Sequence, residues 1–95
     1  MFETTIDYKN EKFLITGEPV MQQASNVSQI LNKIGKITIK GKSDLCPSAV
    51  SVSNIITQTM LPGRSKTEKI SVSSELTEDG RLISIIEIVI TKISS

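Results

Sequence analysis

Glu78-Asp79-Gly80-Arg81-Leu82-Ile83-Ser84-Ile85-Ile86-Glu87-Ile88-Val89-Ile90 is the stretch that decides the fold. Asp-Gly set between apolar segments is a strong signal for a β-hairpin turn. Beyond the turn the chain is almost continuously apolar. Ile83, Ile85 and Val89 fall on one face of a strand and Leu82, Ile86, Ile88 and Ile90 on the other, with Glu87 the interruption. A strand apolar on both faces lies either at the centre of a covered sheet or partly under another subunit. Its hairpin partner is the segment beyond residue 66, where Ile70, Val72 and, less cleanly, Leu76 keep a period of two.

Upstream, Lys36-Ile37-Thr38-Ile39-Lys40 alternates strictly and reads as a half-buried strand. Before it, Val20, Met21, Ala24, Val27, Ile30, Leu31 and Ile34 recur at helical spacing, with Gln22, Gln23, Ser25, Asn26, Gln29 and Asn32 opposite. Pro19 suits the first turn of that helix and Gly35 its stop. Lys12–Thr16, apolar at Phe13, Leu14 and Ile15, reads as a short buried strand ended by Gly17, and residues 1–11 as a frayed terminus or short edge segment. After a loop at Gly41–Asp44, Ser43 or Asp44 suits an N-cap and Pro47 a first helical turn. Val50-Ser51-Val52-Ser53 also fits a strand, but Ala49, Val52, Ile55, Ile56, Thr59 and Met60 hold helical spacing up to Pro62-Gly63, and helix is preferred. The expected architecture is a single α/β domain over residues 1–95, a two-layer sandwich of order β-α-β-α-β-β with a four-stranded mixed sheet and two helices.

At 95 residues the chain is near the lower limit for a self-sufficient core, so a partner subunit would help it. It has no histidine, no tryptophan and one cysteine, Cys46. Within one copy this excludes a Ser/His/Asp or Cys/His relay, a histidine-ligated metal, a Cys-x-x-Cys pair and a disulfide scaffold. Glycines at 17, 35, 41, 63 and 80 are too scattered for a dinucleotide turn or a phosphate loop, so no cofactor is expected. Glu75, Glu78 and Asp79 read as a solvated turn rather than an acid and base pair, and Cys46 is read as a small packed thiol rather than a nucleophile. No apolar run approaches a membrane span and no signal peptide is visible, so a cytoplasmic protein without membrane attachment is expected.

Net charge is +1, but it is unevenly distributed. Residues 1–31 carry two lysines against four carboxylates, −2; residues 32–71 carry seven cations against Asp44 and Glu68, +5; the rest carries Arg81 and Lys92 against four carboxylates, −2. Such segregation steers a polyanion to one face, or it is an ordinary solvated surface with lysines flanking a strand. Lys40-Gly41-Lys42-Ser43, at a strand-to-helix junction, offers two cations and backbone N–H groups to a phosphate, or is simply a glycine turn. Arg64, Lys66 and Lys69 form a second basic cluster. Phe2, Tyr8 and Phe13 are the only aromatic residues, too few and too clustered for base stacking on central strands. Any nucleic acid would therefore be read through phosphates and duplex shape.

The element order and several strings resemble the Alba family of small nucleic-acid-binding proteins, from about Phe13 to Lys92. They are Ile15-Thr16-Gly17-Glu18-Pro19-Val20-Met21, Ile37-Thr38-Ile39-Lys40-Gly41-Lys42, Ser48-Ala49-Val50, Met60-Leu61-Pro62 and Asp79-Gly80-Arg81 followed by Ile86-Glu87-Ile88-Val89-Ile90. The resemblance implies a fold similar to the C-terminal domain of bacterial translation initiation factor 3, dimers, and binding of double-stranded DNA and RNA. It further implies that loops before the first helix and after the second strand meet the duplex backbone, while the hairpin arm reaches toward the minor groove. Where the family presents two lysines before the proline, one of them a known acetylation site, this chain has Gly17 and Glu18. Lys42, Asp44 and Ser48 stand where two arginines and a lysine are usual. Arg81 matches a basic hairpin position, but the arm is shorter and acidic at Glu75 and Glu78. The family's dimer surface maps onto Met60, Leu61, Ile86 and Ile88, which are equally suited to the monomer's own core.

These readings lead to a non-enzymatic nucleic-acid-binding protein, a homodimer or a heterodimer with a paralogue, contacting duplex DNA or structured RNA with little sequence specificity. It would organise chromatin or RNA and associate with the nucleoid. The contact residues expected are Lys40, Lys42, Ser43, Arg64, Lys66 and Arg81. The rival reading is a protein-interaction subunit with weakened DNA binding that pairs with a more basic paralogue or joins a ribonucleoprotein. A phosphate-directed enzyme using Lys40 and Lys42 is the weakest class, lacking an acid-base pair or a phosphate loop.

Overall fold

The computed structural model describes residues 11–93; the segment expected to be frayed or to form a short edge, apart from Glu11, and the rings of Phe2 and Tyr8 lie outside them. The order is β1 (Lys12–Leu14), α1 (Val20–Ile34), β2 (Lys36–Lys42), α2 (Cys46–Ile55), β3 (Ser65–Leu76) and β4 (Leu82–Lys92). The strands form one mixed sheet in the order β1-β2-β4-β3. β1 runs parallel to β2, whereas β4 runs antiparallel to both β2 and β3. This is the β-α-β-α-β-β α/β sandwich expected from the periodicities.

β4 is central, as its two-sided apolarity requires. Ile86, Ile88 and Ile90 lie opposite Gly41, Ile39 and Ile37 of β2, and this row is the floor of the core. α1 contributes Ala24, Val27 and Leu31 to it, and α2 contributes Ala49 and Val52. The helices cover β2 and β4 but leave β3 bare. Apart from Ser65, every residue of β3 is exposed.

Several local expectations change. Met21 and Leu14, read as buried, are exposed, because α1 turns Met21 outward and the three-residue β1 puts only Phe13 against the core. Gln23, read as a solvent-face residue, is 1% exposed. Neither Ser43 nor Asp44 caps α2; they belong to a 3-10 turn (Ser43–Leu45) that precedes it, with Ser43 in the left-handed region at φ 54°. The second helix does not run straight to Pro62 but closes in a π-helical turn, Ile56–Met60, in which the Leu61 N–H donates to the Ile56 carbonyl.

Gly41 is not in a loop but inside β2, buried, and its absent side chain is what lets α2 approach. A Cβ there would stand 2.9 Å from the Cβ of Ala49 and 2.9 Å from the Leu45 carbonyl oxygen. Helix and strand are both held by core contacts, so neither yields cheaply. Gly41→Ala is expected to cost about 1–3 kcal/mol by overpacking, read as a lowered urea midpoint with unchanged m-value.

Candidate functional site

The topology sorts the charged side chains by the end of the sheet at which they emerge. The loop Thr16–Pro19, the 3-10 turn Ser43–Leu45 and the β3–β4 turn all lie beyond the C-terminal ends of β1 and β2. Lys40, Lys42, Ser43 and Arg81 belong to this hairpin half. Arg64 and Lys66 do not. Lys66 lies opposite Thr91, which lies opposite Lys36, and Ile93 N–H donates to the Arg64 carbonyl, so both sit at the other end of the sheet. Six residues in β2 separate the two levels, about 20 Å along an extended strand. The six residues expected to share one contact surface are thus divided between two ends of the molecule.

On the hairpin half the cations are neutralised by their own chain. Lys42 Nζ stands 3.4 Å from Glu75 Oε1, Arg81 Nε 3.1 Å from Asp79 Oδ2, and Lys12 Nζ and Lys40 Nζ 3.2 and 4.0 Å from the same Glu87 carboxylate. Because β2 and β3 flank β4, the Lys42–Glu75 pair arches over the central strand on the face away from the helices. Ile85, in register with Lys42 and only 5% exposed, lies on that open face, where long lysine stems shelter apolar surface.

Counting the two loops and the hairpin from β3's last turn onward, Lys42 and Arg81 face Glu18, Asp44, Glu75, Glu78 and Asp79, a local charge of −3. Glu18 precedes the N-cap Pro19 of α1, and Asp44 lies in the turn leading into α2. Carboxylates there complement the positive ends of the two helix dipoles. The same placement removes the attraction that those helix starts would otherwise offer to a phosphate.

Sequence reasoning missed the residue that shapes the first loop. The Gln23 side chain accepts from Thr16 N–H at 2.9 Å through Oε1, and its Nε2 donates to the carbonyls of Thr16 at 3.1 Å and Glu18 at 2.7 Å. One buried amide thereby fixes the backbone of Thr16–Glu18 from one turn into α1. A polar residue beside apolar Ala24 carries no such signal in its spacing; the loop must first fold back over it.

Cys46 opens α2 partly buried, its Sγ 3.6 Å from the Gly41 carbonyl, in the packed setting expected of it. Of the residues assigned to a dimer surface, Leu61, Ile86 and Ile88 belong to the monomer core, and Met60 packs against it from the rim. On the hairpin strands the apolar side chains left bare are instead Ile70, Val72, Leu76 and Leu82, with Val72 73% and Leu82 71% exposed.

No family model matches the sequence, and no curated protein matches it. Solved structures do. Alba from Thermoplasma volcanium superposes with a TM-score of 0.75 at 28% identity, covering 85% of this chain and 99% of that one. ALBA1 from Trypanosoma brucei gives a TM-score of 0.75 at 17% identity, over 93% of this chain and 74% of that one. The chain has an Alba-like fold, the architecture its strings and element order had suggested. No described helix is long and apolar enough to cross a membrane.

At the far end of the sheet, Glu68 sits at a bulge in β3 and reaches across β4. It accepts a hydrogen bond from Thr91 Oγ1 at 2.7 Å and pairs with Lys36 Nζ at 3.2 Å. The Thr91 hydrogen bond first, then Lys36, hold its carboxyl below the ordinary glutamate range. A lowered folded-state value means that this contribution to stability is present above the unfolded-state value and is lost as pH falls through the folded one. Thr91→Val is expected to raise the Glu68 titration midpoint toward the ordinary value, measured by carboxyl-carbon NMR; an unmoved midpoint would discount the hydrogen bond.

Proposed function

We propose that this chain is a non-enzymatic nucleic-acid-binding protein that holds duplex DNA or structured RNA through its phosphates, with little base readout. The observation that carries the reading is the Alba-like fold joined to a surface whose cations, exposed or half-buried, are grouped by topology. The lack of histidine, of a phosphate loop and of a paired acid and base supports a binding role over catalysis. In this reading the protein organises chromosomal DNA or RNA in the cytoplasm, as a nucleoid-associated component.

A dimer is part of the reading. β3 is an edge strand of 12 residues, with Ile70 and Val72 bare on its helix side and Leu76 and Leu82 bare along the hairpin. A long edge strand with an apolar face is a template for association unless something covers it. A second copy, or a paralogue of the same fold, would cover it. Met60 at the rim extends that surface, while Ile86 and Ile88 serve it from beneath.

One observation favours the rival reading of an interaction subunit with weakened DNA binding. The loops and hairpin that the resemblance places against a duplex carry a local charge of −3 here. Such an end suits a more basic paralogue or a basic ribonucleoprotein component.

Fluorescence anisotropy with a duplex DNA and a matched structured RNA across about 50–200 mM salt separates the two. A phosphate reader gives a log-log slope of about −0.9 per contact, whereas absence of binding by folded protein at the lowest salt leaves the interaction subunit. For the dimer, Val72→Lys/Leu76→Lys is expected to sediment as a monomer with an unchanged circular dichroism spectrum. By contrast, Ile88→Ala, 1% exposed in the core, is expected to cost about 2–5 kcal/mol of stability.

A further inference from the structure

The strands converge a second set of cations at the end of the sheet away from the hairpin. Lys33 lies in the last turn of α1 and Lys36 begins β2. Arg64 and Lys66 mark the start of β3, Lys69 follows its bulge, and Lys92 closes β4. Through Thr91, Lys36 and Lys66 stand in register on the open face, two strand spacings or about 10 Å apart. Lys69 shares that face opposite Val89, while Lys92 reaches the other side, 3.5 Å from the Asn32 carbonyl at the end of α1.

The carboxylates among the described residues at this end are Glu11 and Glu68, so six cations against two acids give +4. The ion pairs differ in the same sense. Lys42 and Arg81 are both matched with carboxylates at the hairpin end. Here Lys36 is paired with Glu68, but Lys33, Arg64, Lys66, Lys69 and Lys92 make no ion pair with a described carboxylate. Among the described residues the charges therefore form a dipole along the strands, −3 at one end and +4 at the other. A basic stretch continuous in sequence from Lys33 to Lys69 hides this polarity, because β2 carries Lys40 and Lys42 away from the rest.

We infer that the phosphate backbone of a duplex docks on the Lys33, Lys36, Arg64, Lys66, Lys69 and Lys92 end, and that the hairpin end points away from it. The inference rests on the proposed function and assigns its contact surface. A polyanion approaching the molecule meets repulsion from Glu18, Asp44, Glu75, Glu78 and Asp79 on one side. On the other it meets Lys33, Arg64, Lys66, Lys69 and Lys92, none of which has to surrender a described carboxylate first, and Lys36, which is paired with Glu68. Release of condensed counterions then follows the number of these lysines and arginines engaged, not the number in the whole chain. With no aromatic side chain at this end among the described residues, docking there reads charge and shape without stacking on bases.

The test compares three variants of the full chain, each checked for folding by circular dichroism and for oligomeric state by sedimentation, against a fluorescent duplex DNA in a salt series. Lys33→Gln/Lys66→Gln/Lys69→Gln is expected to lose at least about tenfold in affinity at about 100 mM salt, with the slope reduced by about 2.7 for three contacts. The charge-preserving Lys33→Arg/Lys66→Arg/Lys69→Arg is expected to bind as wild type does. Lys42→Gln/Arg81→Gln is expected to change the slope by less than about one contact. Larger or equal loss in this hairpin-end variant would overturn the placement while leaving the binding function intact. A wild-type protein that shows no salt-dependent binding to duplex DNA or structured RNA would remove the proposed function, and this surface with it.

Discussion

The burial of β4 between β2 and β3 is the constraint on which the rest depends. Its row Ile86-Ile88-Ile90 has to be removed from water, a gain of about 25 cal/mol per Å² of apolar area, and that row, with Ile37 and Ile39 beside it, is the floor on which the rest of the core packs. The two helices do not span the whole sheet; they are placed over β2 and β4. Gly41 permits that placement, since α2 could not come so near the sheet over a side chain at this position. β3 is what the helices leave over, and its bare apolar residues follow from that shortfall.

The other face of β4 is protected differently. No helix covers it, so the lysines of β2 and the glutamates of β3 meet across it, and their aliphatic stems do what a second layer would do. Exposed ion pairs contribute little stability individually. Their effect here is on electrostatics: each pair over the hairpin half uses a cation that would otherwise be free for phosphate. The same element order can therefore carry a basic or a nearly neutral surface near its hairpin, according to which residues occupy β3. In this chain Glu75 of β3, with Glu18, Asp44, Glu78 and Asp79 of the loops beside it, makes it acidic, and the cations without a described carboxylate partner gather at the opposite end.

Much of this was legible in the residues. Gly35 ends α1 where the sequence puts it and Pro19 stands just before its first turn, as the N-cap rather than within it; the alternation at Lys36–Lys40 marks β2, and Asp79-Gly80 turns the hairpin. The contact surface was much less so. Lys40 and Arg64 belong to one basic stretch of sequence yet emerge about 20 Å apart in the fold, because successive elements reverse direction. Ile88 could be read as core or as interface, and only the position of the helices makes it core and leaves Val72 as surface. Gln23 looked like any polar residue on a helix until the loop closed over its amide.

What the amino-acid sequence determined by itself is the type and order of the elements, because the periods of 2 and 3.6 residues and the turn chemistry act over a few neighbours. It also determined what this protein lacks: histidine, a phosphate loop and a set of rings for stacking. Tertiary structure alone decided which apolar rows are covered, which cations are paired and which end of the sheet each charge occupies. Those outcomes depend on strand order and on the reach of the helices across it, distances set between residues far apart in the chain.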